Sequence, residues 1–152
     1  MSNILKFKVE LFNLLNNSVN YAVIRNFKDL PHSQKSHDID IIIDKKNYLE
    51  TKKDIKRLIE THDLKLISYN KLDIESMIIV DYNNHTEFVF LDFFFRYSIF
   101  GIETINAKEV LNNRVFNNKI YHVNLIYEFL EKFLYVKFLC ECNWTANFKI
   151  IA

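Results

Sequence analysis

A chain that contains HDIDIIID, from His37 to Asp44, has few ways to fold around it. Ile39, Ile41, Ile42 and Ile43 read as a buried strand, yet Asp38 and Asp40 stand at its mouth. Residues two apart on a strand share a face, with Cα atoms roughly 7 Å apart. Both carboxylates therefore point the same way. Two such charges about 5 Å apart repel by about 3 kcal/mol at an effective dielectric of about 20. A divalent cation between them would remove that cost, and carboxylate oxygens are the ligands Mg²⁺ prefers. The plainer alternative is a solvated strand end or cap, on an edge strand with one wet face.

A third acid bears on the choice. FVFLDFFF, Phe88 to Phe95, is a second strand-like run, and Asp92 is its one charged residue. Alternation puts Phe90, Asp92 and Phe94 on one face. An unpaired charge in so apolar a strand is strongly disfavoured, so Asp92 calls for a partner. If this strand lies beside the first, Asp38, Asp40 and Asp92 form one three-carboxylate cluster. Such a cluster can hold one or two Mg²⁺ ions for phosphoryl or nucleotidyl transfer.

The rest of the chain reads as one domain of 152 residues, with a core over about 18–100 and a helical C-terminal part over about 101–152. MSNILKFKVELFNLL is an amphipathic helix over 3–16, with Ser2 or Asn3 as its cap and Ile4, Leu5, Val9, Leu11, Phe12 and Leu15 facing inward. YAVIRN (21–26) is a short strand, and FKDLPHSQKSH is a loop, alone or with a short helix. A helix follows DIDIIID, capped by Asp44 and buried through Tyr48, Ile55, Leu58 and Ile59. Two or three strands come next (KLISYN, SMIIVDYN, TEFVFLDFFF), with a hairpin turn at Asn83–Asn84 between the last two. Beyond Gly101 come a short helix near NAKEVLNN, a small strand KIYHV and a last helix from Asn124 to about Glu141. This order predicts an α/β (α+β) layer fold, a mixed sheet flanked by helices.

Composition narrows the function. One glycine among 152 residues rules out the glycine-rich phosphate loops of P-loop and Rossmann proteins. Asn residues are expected at the positive-φ turn positions instead. A formal net charge of +1 gives no basic surface for tracking nucleic acid. No stretch approaches a membrane span, and the N-terminus is not a signal peptide. Cys140 and Cys142 form a C-x-C without a second Cys/His cluster, which reads as reduced thiols in a cytoplasmic protein.

YAVIRN, then LP, HDIDIIID, a helix and EFVFLDFFF occur in an order that resembles the nucleotidyltransferase superfamily, the polymerase-beta-like fold. The likeness spans about residues 21 to 95. More narrowly, it is similar to small nucleotidyltransferase-like proteins encoded in bacterial surface-polysaccharide gene clusters. The resemblance implies that Asp38 and Asp40 bind Mg²⁺ and a nucleoside triphosphate. Asp92 would complete the metal site and help deprotonate an acceptor hydroxyl. It implies in-line attack on the α-phosphate by a small-molecule acceptor, such as a sugar or polysaccharide precursor, with pyrophosphate leaving.

The chain departs from the family after the first strand. Gly-Ser there lets backbone N–H groups hold the β and γ phosphates. This chain has Arg25–Asn26. Asn26 can adopt positive φ, Arg25 can contact phosphate, and Ser33, Ser36 and His37 are further phosphate-side candidates. Alternatively Arg25 and Lys28 are surface charges, and His37 merely begins a strand. The departure keeps a second reading open: a catalytically degenerate relative that binds nucleotide or serves as a partner subunit. A metal-dependent nuclease ranks lower, because no E-x-K follows on the next strand. NLIYEFLEKFLYVKFLCE is apolar over more than one stripe, with Glu128, Glu131 and Lys132 along a narrow polar side. Such a helix is either core or half of an interface, a homodimer included.

Overall fold

The computed structural model describes residues 1–33, 38–71, 74–99 and 102–138. Ser36, His37, Gly101, Cys140 and Cys142 lie outside the described residues. Helix α1 (Asn3–Ser18) starts where Ser2 accepts a hydrogen bond from the Leu5 N–H. Its inward stripe is Ile4, Phe7, Leu11, Phe12 and Leu15. Leu5 and Val9, expected there, are only half-buried. The helix turns its 4, 7, 11, 15 line to the sheet, and that line takes in Phe7 and the aliphatic stem of Lys8 instead. Lys8 Nζ donates to the Ser33 carbonyl, which ties α1 to the segment approaching Asp38.

Strand β1 (Tyr21–Val23) is shorter than the expected 21–26. Beyond Val23 one bond continues the pairing, Ile24 N–H to the Asp40 carbonyl at 2.8 Å. The chain then turns through Asn26 at φ 57°. Asn118 also takes a positive φ, as expected of Asn here, but Asp63 and Lys119 do so too.

Strand β2 (Asp38–Ile43) ends at Asp44, whose side chain caps α2 (Lys45–Thr61) by accepting from the Asn47 N–H at 3.0 Å. Three strands follow: β3 (Leu64–Lys71), β4 (Ile74–Asp81) and β5 (Phe88–Phe94). The β4–β5 turn passes through Asn83–Asn84, as the sequence predicted. Asp81 Oδ1 accepts there from the Asn83 N–H, and Asn84 Oδ1 from the Thr86 N–H. Two small pairings were not anticipated. The first is the hairpin β6 (Tyr97–Ile99) and β7 (Ile102–Ile105). After α3 (Ala107–Asn112), the second joins β8 (Val115–Asn117) to β9 (Ile120–His122), where one strand was expected. Strands of three or four residues give too short a period-two signal to read. Helix α4 (Leu125–Phe138) ends the described chain. No helix among the described residues is long and apolar enough to cross a membrane.

The main sheet has seven strands among the described residues, in the order β3-β4-β5-β2-β1-β9-β8. The pairs β2–β5 and β1–β9 are parallel and the rest antiparallel, so the sheet is mixed. Helices α1 and α2 cover one face over Tyr21, Val23, Ile39, Ile41, Ile43, Leu91 and Phe93. The other face carries Ala22, Ile24 and Ile42, packed with residues of β6, β7 and α3 and flanked by Phe94 and by Tyr127 and Leu134 of α4. Lys52 Nζ at 3.0 Å and the Tyr69 hydroxyl at 2.7 Å both donate to the buried Glu75, binding α2 to the β3–β4 edge.

Phe93 is fully buried and its ring lies 4.7 Å from that of Tyr48. Phe93→Ala is expected to lower unfolding free energy in denaturant melts by about 3–5 kcal/mol. A loss under about 1 kcal/mol would contradict the packing described for this face.

Candidate metal and ion-pair site

The two central strands build the site. In the parallel β2–β5 register, Asp40 stands directly opposite Asp92, and Asp38 opposite Phe90. Alternation sends residues 38, 40 and 42 to one face and the intervening isoleucines to the face under α1 and α2. The structure thus brings together all three acids picked out from the sequence. Each of Asp38, Asp40 and Asp92 offers a carboxylate oxygen within 4.8 Å of the others. Asp38 and Asp92 are half-buried, while Asp40 is 2% exposed.

Arg25 lies among them. Its Nε donates to Asp40 Oδ2 in a close contact, and an η nitrogen stands 3.7 Å from Asp38 Oδ2. The other η nitrogen is 3.6 Å from Glu131 Oε1 on α4, and the guanidinium sits 5.3 Å from the Tyr135 ring centre. The Tyr97 hydroxyl donates to Glu131 Oε1 at 3.1 Å. Arg25 is 27% exposed and engaged by these carboxylates. It is the shared counter-ion of carboxylates from two elements. Asn26, at φ 57°, forms the turn beside it. The Ser33 carbonyl accepts from Lys8 Nζ. For Ser36 and His37 the described residues offer no test.

One residue of this cluster escaped the sequence reading. Glu131 was assigned to a polar side with Glu128 and Lys132, but it is buried at 2% exposure and points at Arg25. Glu128 and Lys132 do pair along the helix, at 2.6 Å. The clue was there: an acid amid apolar helix positions needs a cation, and Arg25 was a cation without an assigned partner. Of the two readings of α4, core or half of an interface, the exposure of Leu125 at 81% and Ile126 at 68% counts against core packing there.

Burial sets the electrostatics. Desolvation pushes the Asp40 carboxyl up to about 6, against the pull of Arg25, and Asp38 and Asp92 push it the same way. Burial also raises Asp38 and Glu131, with Arg25 opposing in both cases. For Arg25 burial would favour the neutral form, but Asp40, Glu131 and Asp38 outweigh it and hold the guanidinium charged. Three carboxylates thus share one guanidinium, with Asp92 close beside them. Two buried oxygens, Asp40 Oδ1 and Glu131 Oε2, have no hydrogen-bond partner, and Asp92 has no hydrogen bond or ion pair among the described residues. Unpaired buried acceptors of this kind are costly. An all-oxygen donor set with surplus negative charge and an orphaned Asp40 Oδ1 fits a hard divalent cation. Asp38, Asp40 and Asp92 are the residues that would hold it.

Comparison with protein-family models, with curated proteins and with solved structures gives no match.

The Asp40 shift has a consequence for stability. Its folded value, about 6, lies above its ordinary value of 3.8. The native state therefore binds more protons than the unfolded chain between those values, and ionisation of Asp40 weakens the fold as pH rises through that window. Asn at this position cannot ionise. Stability of Asp40→Asn minus that of the wild type, from denaturant melts without metal, should rise between about pH 4 and 6 and level off above. A difference that falls over this range would show that ionised Asp40 is favoured by its surroundings.

Proposed function

We propose that this chain is a divalent-cation-dependent nucleotidyltransferase of the polymerase-beta-like type. It would move a nucleoside monophosphate from a triphosphate to a hydroxyl of a small molecule. The observation that carries the reading is the convergence of Asp38, Asp40 and Asp92 from two parallel neighbouring strands onto one point, with Asp40 Oδ1 unpaired. Mg²⁺ bound there would neutralise charge on the phosphates and on the leaving pyrophosphate. Asp38 and Asp40 would hold the phosphate side. Asp92, more open, would accept the proton of the acceptor hydroxyl as its oxygen bonds to the α-phosphorus and the bond to pyrophosphate breaks. The near-neutral chain supports a small acceptor over a polynucleotide. The resemblance to proteins of surface-polysaccharide gene clusters supports a sugar or polysaccharide precursor as that acceptor.

A second reading rests on a specific observation of its own. Arg25 already engages Asp40 and Asp38, and it stands with Asn26 where active relatives carry Gly-Ser. That favours a degenerate relative which binds nucleotide, or a protein partner, without transferring it.

Melting curves with Mg²⁺ and each nucleoside triphosphate test the common ground of both readings. A ligand at a hundred times its dissociation constant stabilises by about 2.7 kcal/mol, or roughly 5–10 °C for a domain of this size. The expected result is a Mg²⁺-dependent rise with at least one triphosphate that disappears in Asp92→Asn. Pyrophosphate release on adding candidate hydroxyl acceptors then supports the transferase, and binding without release supports the degenerate relative. No rise with any triphosphate would overturn the transferase and leave only the degenerate relative that serves a protein partner.

A further inference from the structure

Arg25 touches two sets of carboxylates on different elements, and the two sets are not equivalent. Asp40 and Asp38, on β2, belong to the candidate metal site. Glu131, on α4, lies outside it. Glu131 is oriented by the Tyr97 hydroxyl, buried, and left with an Oε2 that nothing satisfies. It has acceptor capacity to spare within 3.6 Å of a guanidinium that shares its other nitrogens with β2. The Tyr135 ring, on the same helix one turn on, offers its face to the same guanidinium at 5.3 Å. A guanidinium with this set of partners can give up Asp40 without becoming a bare buried charge.

We propose that Arg25 is a tethered competitor of the cation at Asp38, Asp40 and Asp92, and that Glu131 is the seat that receives it when a cation binds. This inference rests on the metal-site reading above. A cation on the free Asp40 Oδ1 would share that carboxylate with the Arg25 Nε–H on Oδ2, so the two positive groups repel and each weakens the other's hold there. Glu131 stabilises the arrangement in which Arg25 has let go. It is a positioning residue that acts through Arg25. If the arrangement competent for the cation is about a tenth of the population, the apparent cation affinity is about tenfold below the intrinsic one. The coupling is reciprocal: whatever draws Arg25 toward α4 strengthens cation binding, and cation binding frees Arg25 for α4.

The test uses Mn²⁺ alone, with free ion counted by electron paramagnetic resonance, on the whole chain. Arg25→Gln should bind Mn²⁺ about tenfold more tightly than the wild type, and Glu131→Gln more weakly by a comparable factor. In the double variant the Glu131→Gln effect should vanish, because it has no Arg25 left to act through. Unchanged or weaker binding in Arg25→Gln overturns the proposal. So does a Glu131→Gln loss that persists in the double variant, which would mean that Glu131 acts only through its own charge. Should Arg25→Gln not fold, Arg25→Lys replaces it. A lysine has no fork to span Asp40 and Glu131, so tighter binding than wild type is expected and equal binding contradicts the competition. Asp40→Asn is the control that separates the two ideas. Mn²⁺ binding that is abolished in Asp40→Asn but equal across the Arg25 and Glu131 variants leaves the metal site standing and removes the competition. No Asp40-dependent binding in either the wild type or the Arg25 variant removes the metal site itself.

Discussion

The parallel pairing of β2 with β5 is the constraint on which the rest of this molecule depends. Parallel neighbours cannot be joined by a tight turn, so the chain must travel between them. Here it does so through α2 to β3 at the edge of the sheet and back through β4, which pairs with β5. That journey places the two most apolar strands side by side at the centre, covered by α1 and α2 on one face. It also fixes the register in which Asp40 meets Asp92. A slip of one residue would send the carboxylates under the helices and the isoleucines to the opposite face. The hydrophobic effect that holds Ile39, Ile41, Ile43, Leu91 and Phe93 inward is therefore what holds the acids together on the other side.

Concentrating negative charge this way has a cost that the fold meets only in part. Arg25 answers it with one guanidinium, shared with Glu131. Carboxyls driven upward by burial, and oxygens left without donors, are what remains. Networks of this sort are high-stakes, because a half-satisfied buried ion cluster is worse for stability than an apolar one. A protein under selection for stability alone would have little reason to keep it. Unsatisfied charge at the junction of two strands and a helix marks this cluster as a candidate binding site.

Much of this was legible in the sequence, and for definite reasons. Asp38 and Asp40 announce their shared face through the period of a strand, and Asp92 stands out because phenylalanines surround it. Ser2, Asp44 and the Asn83–Asn84 turn act through local hydrogen bonds, which neighbouring residues determine. Phe7 and Lys8 were missed because a helix with apolar residues on several sides does not declare which line meets the sheet. Strands of three or four residues, β6 to β8, carry too little periodicity to read. Glu131 was missed for a different reason. Its partner is 106 residues away in the chain (131 − 25), and nothing local separates a buried acid from the half-buried Glu128–Lys132 pair that the same helix also carries.

The central claim is that the three aspartates are a cation site which Arg25 guards. Crystals grown with Mn²⁺ and measured at an anomalous wavelength test it most directly. The account predicts one anomalous peak bounded by the carboxylates of Asp38, Asp40 and Asp92, with the Arg25 guanidinium moved off Asp40 and paired with Glu131. A structure in which Arg25 still bridges Asp40 and Asp38, with no peak between the three carboxylates at saturating Mn²⁺, would contradict it.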